Sequence, residues 1–194
     1  MVTDELPDLN RNVQRLLGRC LLRLQNYERL LKGLLTHSYL AGDAGKLEVL
    51  QLNRADQFAK ATLGNLKKSL FEDSIFASGK SESTSEESHL APGTKVAFEL
   101  RFRIEMPEER VAQLDASLHD LVTLRNELVH HLVERFDLSA IEGCRAASRH
   151  LKESDAKIEA HHRELQGWAM AQAGAQQAMH DFMLSREARD LLVD

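Results

Sequence analysis

Apolar residues recur at helical spacing over most of this chain, and the run from Leu9 to Tyr39 constrains the fold most. Its apolar positions are Leu9, Val13, Leu16, Leu17, Cys20, Leu24, Tyr27, Leu31, Leu34 and Leu35. Steps of three and four residues place these side chains on one face of a helix. Only 3 prolines and 10 glycines occur in 194 residues, so few positions interrupt a helix. The sequence predicts a mostly α fold, an antiparallel bundle of four to five helices, as a single domain over residues 1–194.

The remaining helices are predicted at residues 46–71, 107–136, 139 to beyond Trp168, and 176–193. Residues 40–45 are predicted to form a turn between the first two helices, since Gly42 and Gly45 interrupt the pattern there. The segment Ser139–Glu142 matches a capping box, a pattern that begins a helix. Gly174 lies in an alanine-rich stretch, where we expect the helix to bend or break. Residues 169–194 are therefore predicted to form a C-terminal helical extension.

One segment changes from the helical repeat to the two-residue repeat of a β-strand. Residues 95–106 alternate apolar and polar side chains, which is typical of a β-strand with one buried face. A single strand leaves its backbone hydrogen-bonding groups unpaired, so this β insertion needs a partner. We expect either a weak strand near Ser74–Ala77 or the same strand of a second copy. Residues 73–94, rich in serine and glutamate, are predicted to form a flexible loop because they contain too little apolar surface to order.

Charge and cysteine content limit the function classes. The formal net charge of −5 excludes a globally basic nucleic-acid coat, although it leaves a local basic patch open. Cys20 and Cys144 form no disulfide framework, so a reducing compartment is expected. No signal peptide is recognised, and no apolar run approaches the length of about 20 residues that a membrane span needs. We therefore predict a cytoplasmic protein with no membrane association.

Arg125 is the main anomaly, because it interrupts an apolar stripe on the predicted third helix. The stripe consists of Leu114, Leu118, Leu121, Leu128, Val129, Leu132 and Phe136. At about 100° per residue, Arg125 falls near the middle of this arc. Arginine is rarely buried unless it is paired. One interpretation is structural: Arg125 pairs with an acidic residue of a neighbouring helix and stabilises the packing.

A second interpretation is chemical. Asn126 and His130 lie four residues apart and face the same way beside the stripe, and His119 lies on the same side nearly three turns earlier. Arg125 could reach this pair with its long side chain. Arginine binds phosphate through two parallel hydrogen bonds, and histidine transfers protons near neutral pH. Together these groups suit cleavage of a phosphodiester beside a ribose hydroxyl.

The segment Arg125–His130, with the sequence RNELVH, resembles the R-x4-6-H motif of HEPN domains, including the polar residue directly after the arginine. HEPN domains are small helical bundles that carry this motif late in the chain on a long helix. The predicted layout of this chain is similar. Many HEPN proteins are metal-independent endoribonucleases that form homodimers with a composite cleft. The resemblance implies an endoribonuclease that cleaves cellular RNA and serves as a toxin or phage-defence effector, with an antitoxin or another defence protein as partner.

The resemblance also implies a role for each motif residue. Arg125 would bind and stabilise the scissile phosphate, and Asn126 would orient either the phosphate or the pair of Arg125 and His130. His130 would act as general acid or base when the 2′-hydroxyl attacks, which leaves a 2′,3′-cyclic phosphate. His131 also satisfies the variable spacing and ranks second, and His119 is a further secondary candidate. Leu132 stands where some HEPN toxins carry a tyrosine, which argues against that subgroup.

Not every HEPN domain cleaves RNA, because some are binding or assembly modules. The alternative prediction is a non-catalytic HEPN-like helical module that dimerises and binds a protein partner or a nucleotide. The nine histidines include no H-E-x-x-H motif, so we predict no metal site and no cofactor.

Arginines recur every four residues along the first helix, at Arg11, Arg15, Arg19 and Arg23. Such a row could follow an RNA backbone. It could equally be the solvated polar face that many surface helices have. The sequence leaves both interpretations open.

Overall fold

The structure, a computed structural model, describes residues 5–43, 46–78 and 97–186. Its α-helices are α1 (Glu5–Ser38), α2 (Leu47–Ala59), α3 (Leu63–Asp73), α4 (Glu108–Asn126), α5 (Leu132–Arg135) and α6 (Ile141–Leu184). A π-helical turn, Glu127–His131, joins α4 to α5. The strands are β1 (Tyr39–Asp43), β2 (Ile75–Ala77), β3 (Ala97–Arg101) and β4 (Ile104–Met106). The prediction of a mostly α helical bundle with a short β insertion is confirmed.

The centre of the bundle is the packing of α1 against α6. Buried residues recur every seven positions on each helix: Val13, Cys20, Tyr27 and Leu34 on α1, and Cys144, Leu151, Ile158, Leu165 and Gln172 on α6. A seven-residue repeat keeps one seam of each helix against its partner over a long distance. The buried apolar side chains of the described residues form one cluster around this seam.

The direction of the helices differs from the expected antiparallel arrangement in one packed pair. α1 and α6 run parallel, because the start of α1 pairs with the start of α6 through Glu5 and Arg145, and Leu34 near its end bonds Gln172. α4 runs antiparallel to α6: Arg110 in its first turn pairs with Glu164, whereas the following π turn lies against His150.

The prediction of one strand over 95–106 was wrong in that residues 102–103 divide it into β3 and β4, and residues 95–96 lie outside the described part of the chain. Each of the two strands has a partner within the chain. β4 pairs with β2 in parallel, with Ile75 opposite Ile104, which confirms the expected partner near Ser74–Ala77. β3 pairs with β1 in antiparallel register, with Tyr39 opposite Arg101. Residues 40–43 are therefore a strand, and the prediction of a simple turn between helices was wrong there. Residues 40–45 contain two glycines and show no strand pattern in the sequence. The strand forms because β3 supplies its hydrogen-bond partners.

The second predicted helix, 46–71, is two helices. α2 ends at Ala59, and Thr62 begins α3 by accepting a hydrogen bond from the Asn65 backbone N–H to its side chain, at 3.4 Å. A threonine at this position stabilises a new helix start. The predicted loop at 73–94 begins later than expected, since Asp73 ends α3 and β2 follows. The part of this prediction at 79–94 lies outside the described residues.

Two predictions about the last helix were wrong. The capping box at 139–142 does not form: Ala140 precedes the helix with no side-chain cap, and the Ser139 hydroxyl donates to Asp137 instead, at 2.5 Å. α6 also continues without interruption through Gly174 to Leu184. A helical glycine weakens a helix by only about 1 kcal/mol, which the long contact with α1 offsets. The predicted extension at 169–194 is thus continuous with α6 as far as Leu184, and residues 187–194 lie outside the described part.

Candidate active site

The predicted motif lies where the helix changes type. α4 ends at Asn126, the π turn follows, and α5 begins at Leu132. In a π-helix, backbone hydrogen bonds span five residues instead of four, so one extra residue is inserted into the turn. The spacing of about 100° per residue, from which the apolar stripe was predicted, therefore does not hold across this segment. Leu128 and Leu132 remain buried, but Val129, which was predicted in the apolar stripe, is 44% exposed.

Arg125 reaches out of the apolar seam towards α1. Its Nε lies 3.8 Å from Oε1 of Glu28, and 37% of its side chain is exposed. Its Nη1 donates to the side-chain oxygen of Asn126 at 3.4 Å. The acidic neighbour required by the structural interpretation is therefore present. The pair is long, however, and the guanidinium keeps access to solvent.

The histidines of the motif lie on the solvent side of the π turn. His130 is exposed and forms no hydrogen bond or ion pair with another described residue. Its ring centroid is 6.2 Å from that of His131. His131 is held by Glu134, whose carboxylate lies 2.8 Å from the imidazole Nδ1. The structure thus joins Arg125 and Asn126 by a hydrogen bond. His130, four residues further along the chain, has no hydrogen bond or ion pair with a described residue.

His119 belongs to a different part of the surface. It lines a groove of about 500 Å³ between α3 and α4, together with Lys67 and Asp115, which form an ion pair at 3.0 Å. His119 makes no hydrogen bond or ion pair with the motif residues. The structure therefore does not join His119 to the Arg125–Asn126 pair.

The second half of the arginine row on α1 faces α6. Arg19 forms an ion pair with Asp155, and Arg23 pairs with both Asp155 and Glu159. The hydrogen bond to Asp155 and its negative charge raise the pKa of Arg19. These two arginines neutralise acidic groups of the neighbouring helix, a role that the four-residue spacing did not reveal.

The first half of the row makes contacts within its own helix. Arg11 pairs with Asp8, and Arg15 donates to the side-chain oxygen of Asn12 at 3.0 Å. Both side chains are exposed. Exposed ion pairs of this kind contribute little to stability.

A charged cluster under the π turn was missed by the sequence reasoning. Glu127, the residue at the start of the turn, pairs with Arg135 of α5. The same oxygen, Oε1, lies 3.0 Å from Nε2 of His150 on α6, although not in line for a hydrogen bond. The His150 ring packs against Phe136 with centroids 5.4 Å apart. Glu127 was visible inside the motif, but no spacing linked it to a histidine on another helix.

This arrangement has the elements of phosphate chemistry on one short segment. An exposed guanidinium next to an amide can hold a phosphate oxygen. Imidazoles at the solvent edge can accept and donate protons. The carboxylate of Glu127, which accepts a hydrogen bond from Arg135 and lies beside His150, anchors the segment that carries these groups.

Other kinds of site are not found in the described residues. Across 5–43, 46–78 and 97–186, no group of three or more His, Cys, Asp or Glu side chains is placed to hold a metal ion. Within the same ranges, no helix has both the length and the apolar character needed to span a bilayer. Cys20 and Cys144 are free thiols, and both are buried.

The chain was compared with known proteins at three levels. No family model, no curated protein and no solved structure matches it.

Proposed function

We propose that this protein is a metal-independent endoribonuclease of HEPN type, cytoplasmic and homodimeric, that acts on cellular RNA as a toxin or defence effector. The observation that carries the proposal is the π turn within the motif. π turns are rare and occur frequently at functional sites. Here the turn leaves His130 exposed and without a hydrogen bond or ion pair to any described residue, four residues after the Arg125–Asn126 pair.

In the proposed reaction, Arg125 binds the non-bridging oxygens of the scissile phosphate. Asn126 orients the guanidinium through its side-chain oxygen. His130 removes the proton from the ribose 2′-hydroxyl, which attacks the phosphorus and expels the 5′-oxygen of the next nucleotide. A second imidazole, from the partner copy or from His131, protonates that oxygen. The products are a 2′,3′-cyclic phosphate and a 5′-hydroxyl end.

The surface beside His130 supports the dimeric part of the proposal. Val129 is 44% exposed and Val133 is 70% exposed, and both lie within three residues of His130. Apolar side chains at the edge of a polar site are suited to burial against a second copy. A dimer joined here would bring two motifs together.

The test is cleavage of total cellular RNA by the purified protein in EDTA. We expect His130→Ala to reduce the cleavage rate by about 10²–10⁴-fold, the usual range for removal of a general acid or base. Arg125→Lys should also reduce the rate, because lysine lacks the planar two-donor geometry. His180→Ala, which removes an exposed histidine of α6, is the matched control and should leave the rate unchanged. Loss of cleavage in EDTA, or full activity in His130→Ala, would contradict the proposal.

The acting histidine is identified by the same assay. We expect His131→Ala to retain more activity than His130→Ala, because His131 is engaged by Glu134. The reverse order would transfer the catalytic role to His131. The 2′,3′-cyclic phosphate end, detected by mass spectrometry, identifies the reaction as transesterification.

A second candidate function rests on the contact between Arg125 and Glu28. That pair would suit a non-catalytic HEPN-like module, in which Arg125 stabilises packing and the protein dimerises and binds a protein partner or a nucleotide. Folded protein that cleaves none of the RNAs supplied, but co-purifies with a stable partner, would favour this function.

A further inference from the structure

A polar groove of about 650 Å³ runs between the second half of α1 and the stretch of α6 from His162 to Gln176. Of its 12 lining residues, 7 carry a basic or amide side chain, and none is acidic. This is unexpected in a chain with 30 acidic residues and a net charge of −5. The volume lies within the range of roughly 300–1,000 Å³ that is usual for small-molecule sites.

The basic side chains of the groove have no partner of their own in the described part of the chain. Arg29, His37 and His162 make no ion pair or hydrogen bond with any residue that the structure describes. The other arginines of α1 differ, because each of them binds an acidic or amide side chain. The charge of Arg29 and the imidazole N–H groups of His37 and His162, in a groove lined by no acidic residue, favour an anion.

Gln172 adds a fixed polar group to the groove. Its side chain is only 5% exposed, and its Nε2 donates to the backbone oxygen of Leu34 at 3.1 Å. This bond sets the orientation of the amide. The side-chain oxygen accepts no hydrogen bond from a described residue, so it is free to accept one from a ligand.

Gly33 keeps the wall of the groove open. A Cβ atom placed at Gly33 meets no atom within 4 Å, so the helix packing does not require glycine there. Glycine inside a helix costs roughly 0.5–1 kcal/mol relative to alanine. Because Gly33 has no side chain, the α1 backbone is accessible from the groove at this position.

We propose that this groove binds a small phosphate monoester with hydrogen-bond donors on its organic part, as in a sugar phosphate or a nucleoside phosphate. Arg29 holds the phosphate through two N–H groups, supported by His37 and His162. The oxygen of Gln172 accepts a hydrogen bond from a hydroxyl or amino group of the ligand. None of the motif residues at 125–131 lines this groove, so the proposal does not depend on ribonuclease activity.

The experiment is titration calorimetry of the full-length protein at low salt with ribose 5-phosphate, AMP and inorganic phosphate. The variants are Arg29→Ala, which removes the main cation, and Gly33→Leu, which fills the groove. Arg149→Ala is the matched control, because Arg149 is an exposed arginine of α6 outside the groove, with no ion pair to another described residue. Thermal melts establish that each variant is folded, and Gly33→Leu is expected to melt no lower than the wild type.

We expect one of the two esters to bind at least tenfold more tightly than inorganic phosphate. Arg29→Ala should weaken this binding roughly tenfold or more, as expected for loss of hydrogen bonds to a charged group. Gly33→Leu should abolish it, and Arg149→Ala should change it by less than about twofold. Tighter binding of AMP than of ribose 5-phosphate identifies a nucleoside phosphate, and the reverse identifies a sugar phosphate. The proposal is overturned if neither ester binds better than inorganic phosphate, or if Gly33→Leu binds normally.

Discussion

The Nε of Arg23 on α1 lies 3.2 Å from Oδ1 of Asp155, a carboxylate of α6 that is almost completely buried. Arg19 binds the other oxygen of the same carboxylate. The two parallel helices are thus joined near their middle by a charged group that is largely shielded from water. A buried carboxylate is tolerated only when it is paired. Asp155 therefore depends on the two arginines, whereas the arginines are partly exposed and could be solvated without Asp155.

Arg23→Ala should therefore destabilise the protein by about 1–3 kcal/mol, since it removes the ion pair of Oδ1, an oxygen of a buried carboxylate that accepts no hydrogen bond from a described residue. Urea denaturation measures the free energy of unfolding. Arg163→Ala is the control, because Arg163 is 70% exposed and lies 3.9 Å from Glu159, and it should cost no more than about 1 kcal/mol. In an Asp155→Asn background the cost of Arg23→Ala should fall. Equal costs in both backgrounds would show that Arg23 acts by something other than the charge of Asp155.

Gly143→Ala should destabilise the protein. A Cβ at this position would lie 1.8 Å from the backbone oxygen of Asp137 and 2.7 Å from its carbonyl carbon. The turn that leads from α5 into α6 would have to move, and overpacking of this kind costs about 1–3 kcal/mol or more. Thermal denaturation provides the measurement.

The control for Gly143 is another glycine inside a helix. A Cβ at position 18 would meet no atom within 4 Å, so Gly18→Ala should stabilise the protein by roughly 0.5–1 kcal/mol. If both substitutions had the same sign, the contact with Asp137 would not be what requires glycine at position 143.

Stability should depend on Cys20 at alkaline pH. Burial, with a smaller contribution from the charge of Asp155, raises the pKa of the Cys20 thiol to about 11. The unfolded chain loses this proton near pH 8.5, so between about pH 8.5 and 11 the unfolded state binds fewer protons and the folded state loses stability. The wild type should lose roughly 2–3 kcal/mol more than Cys20→Ala over this interval, as measured by urea denaturation at several pH values. Parallel curves for the two proteins would contradict the raised pKa.

The order of the π turn should depend on Glu127, which bonds Arg135 and approaches His150. Glu127→Ala removes the hydrogen bond to Arg135, worth about 0.5–1.5 kcal/mol, and the negative charge beside His150, so amide hydrogen exchange at 127–132 should become up to roughly tenfold faster. Glu134→Ala, which loses only the exposed contact with His131, should change exchange there much less. Unchanged exchange in Glu127→Ala would mean that the turn is held by packing of Leu128 and Leu132 alone.

The residues of the candidate site were named from the sequence, whereas their partners came only from the structure. Arg125 was recognised because a charge on an apolar stripe conflicts with the local pattern, and that conflict can be read directly. Its partner Glu28 could not be read, because the two residues meet only when α1 and α4 pack. Arg19 and Arg23 show the same limit: their spacing was visible, whereas the buried Asp155 opposite them was not.

The sequence by itself determined the mostly helical fold and the presence of strand structure within residues 95–106, because helical and strand periodicities are local properties of the chain. Only the tertiary structure decided the parallel packing of α1 and α6, the strand at 39–43 and the π turn at 127–131. Each of these depends on contacts between segments far apart in the sequence. Their hydrogen bonds and buried surface outweigh local preferences that amount to about 1 kcal/mol or less per residue.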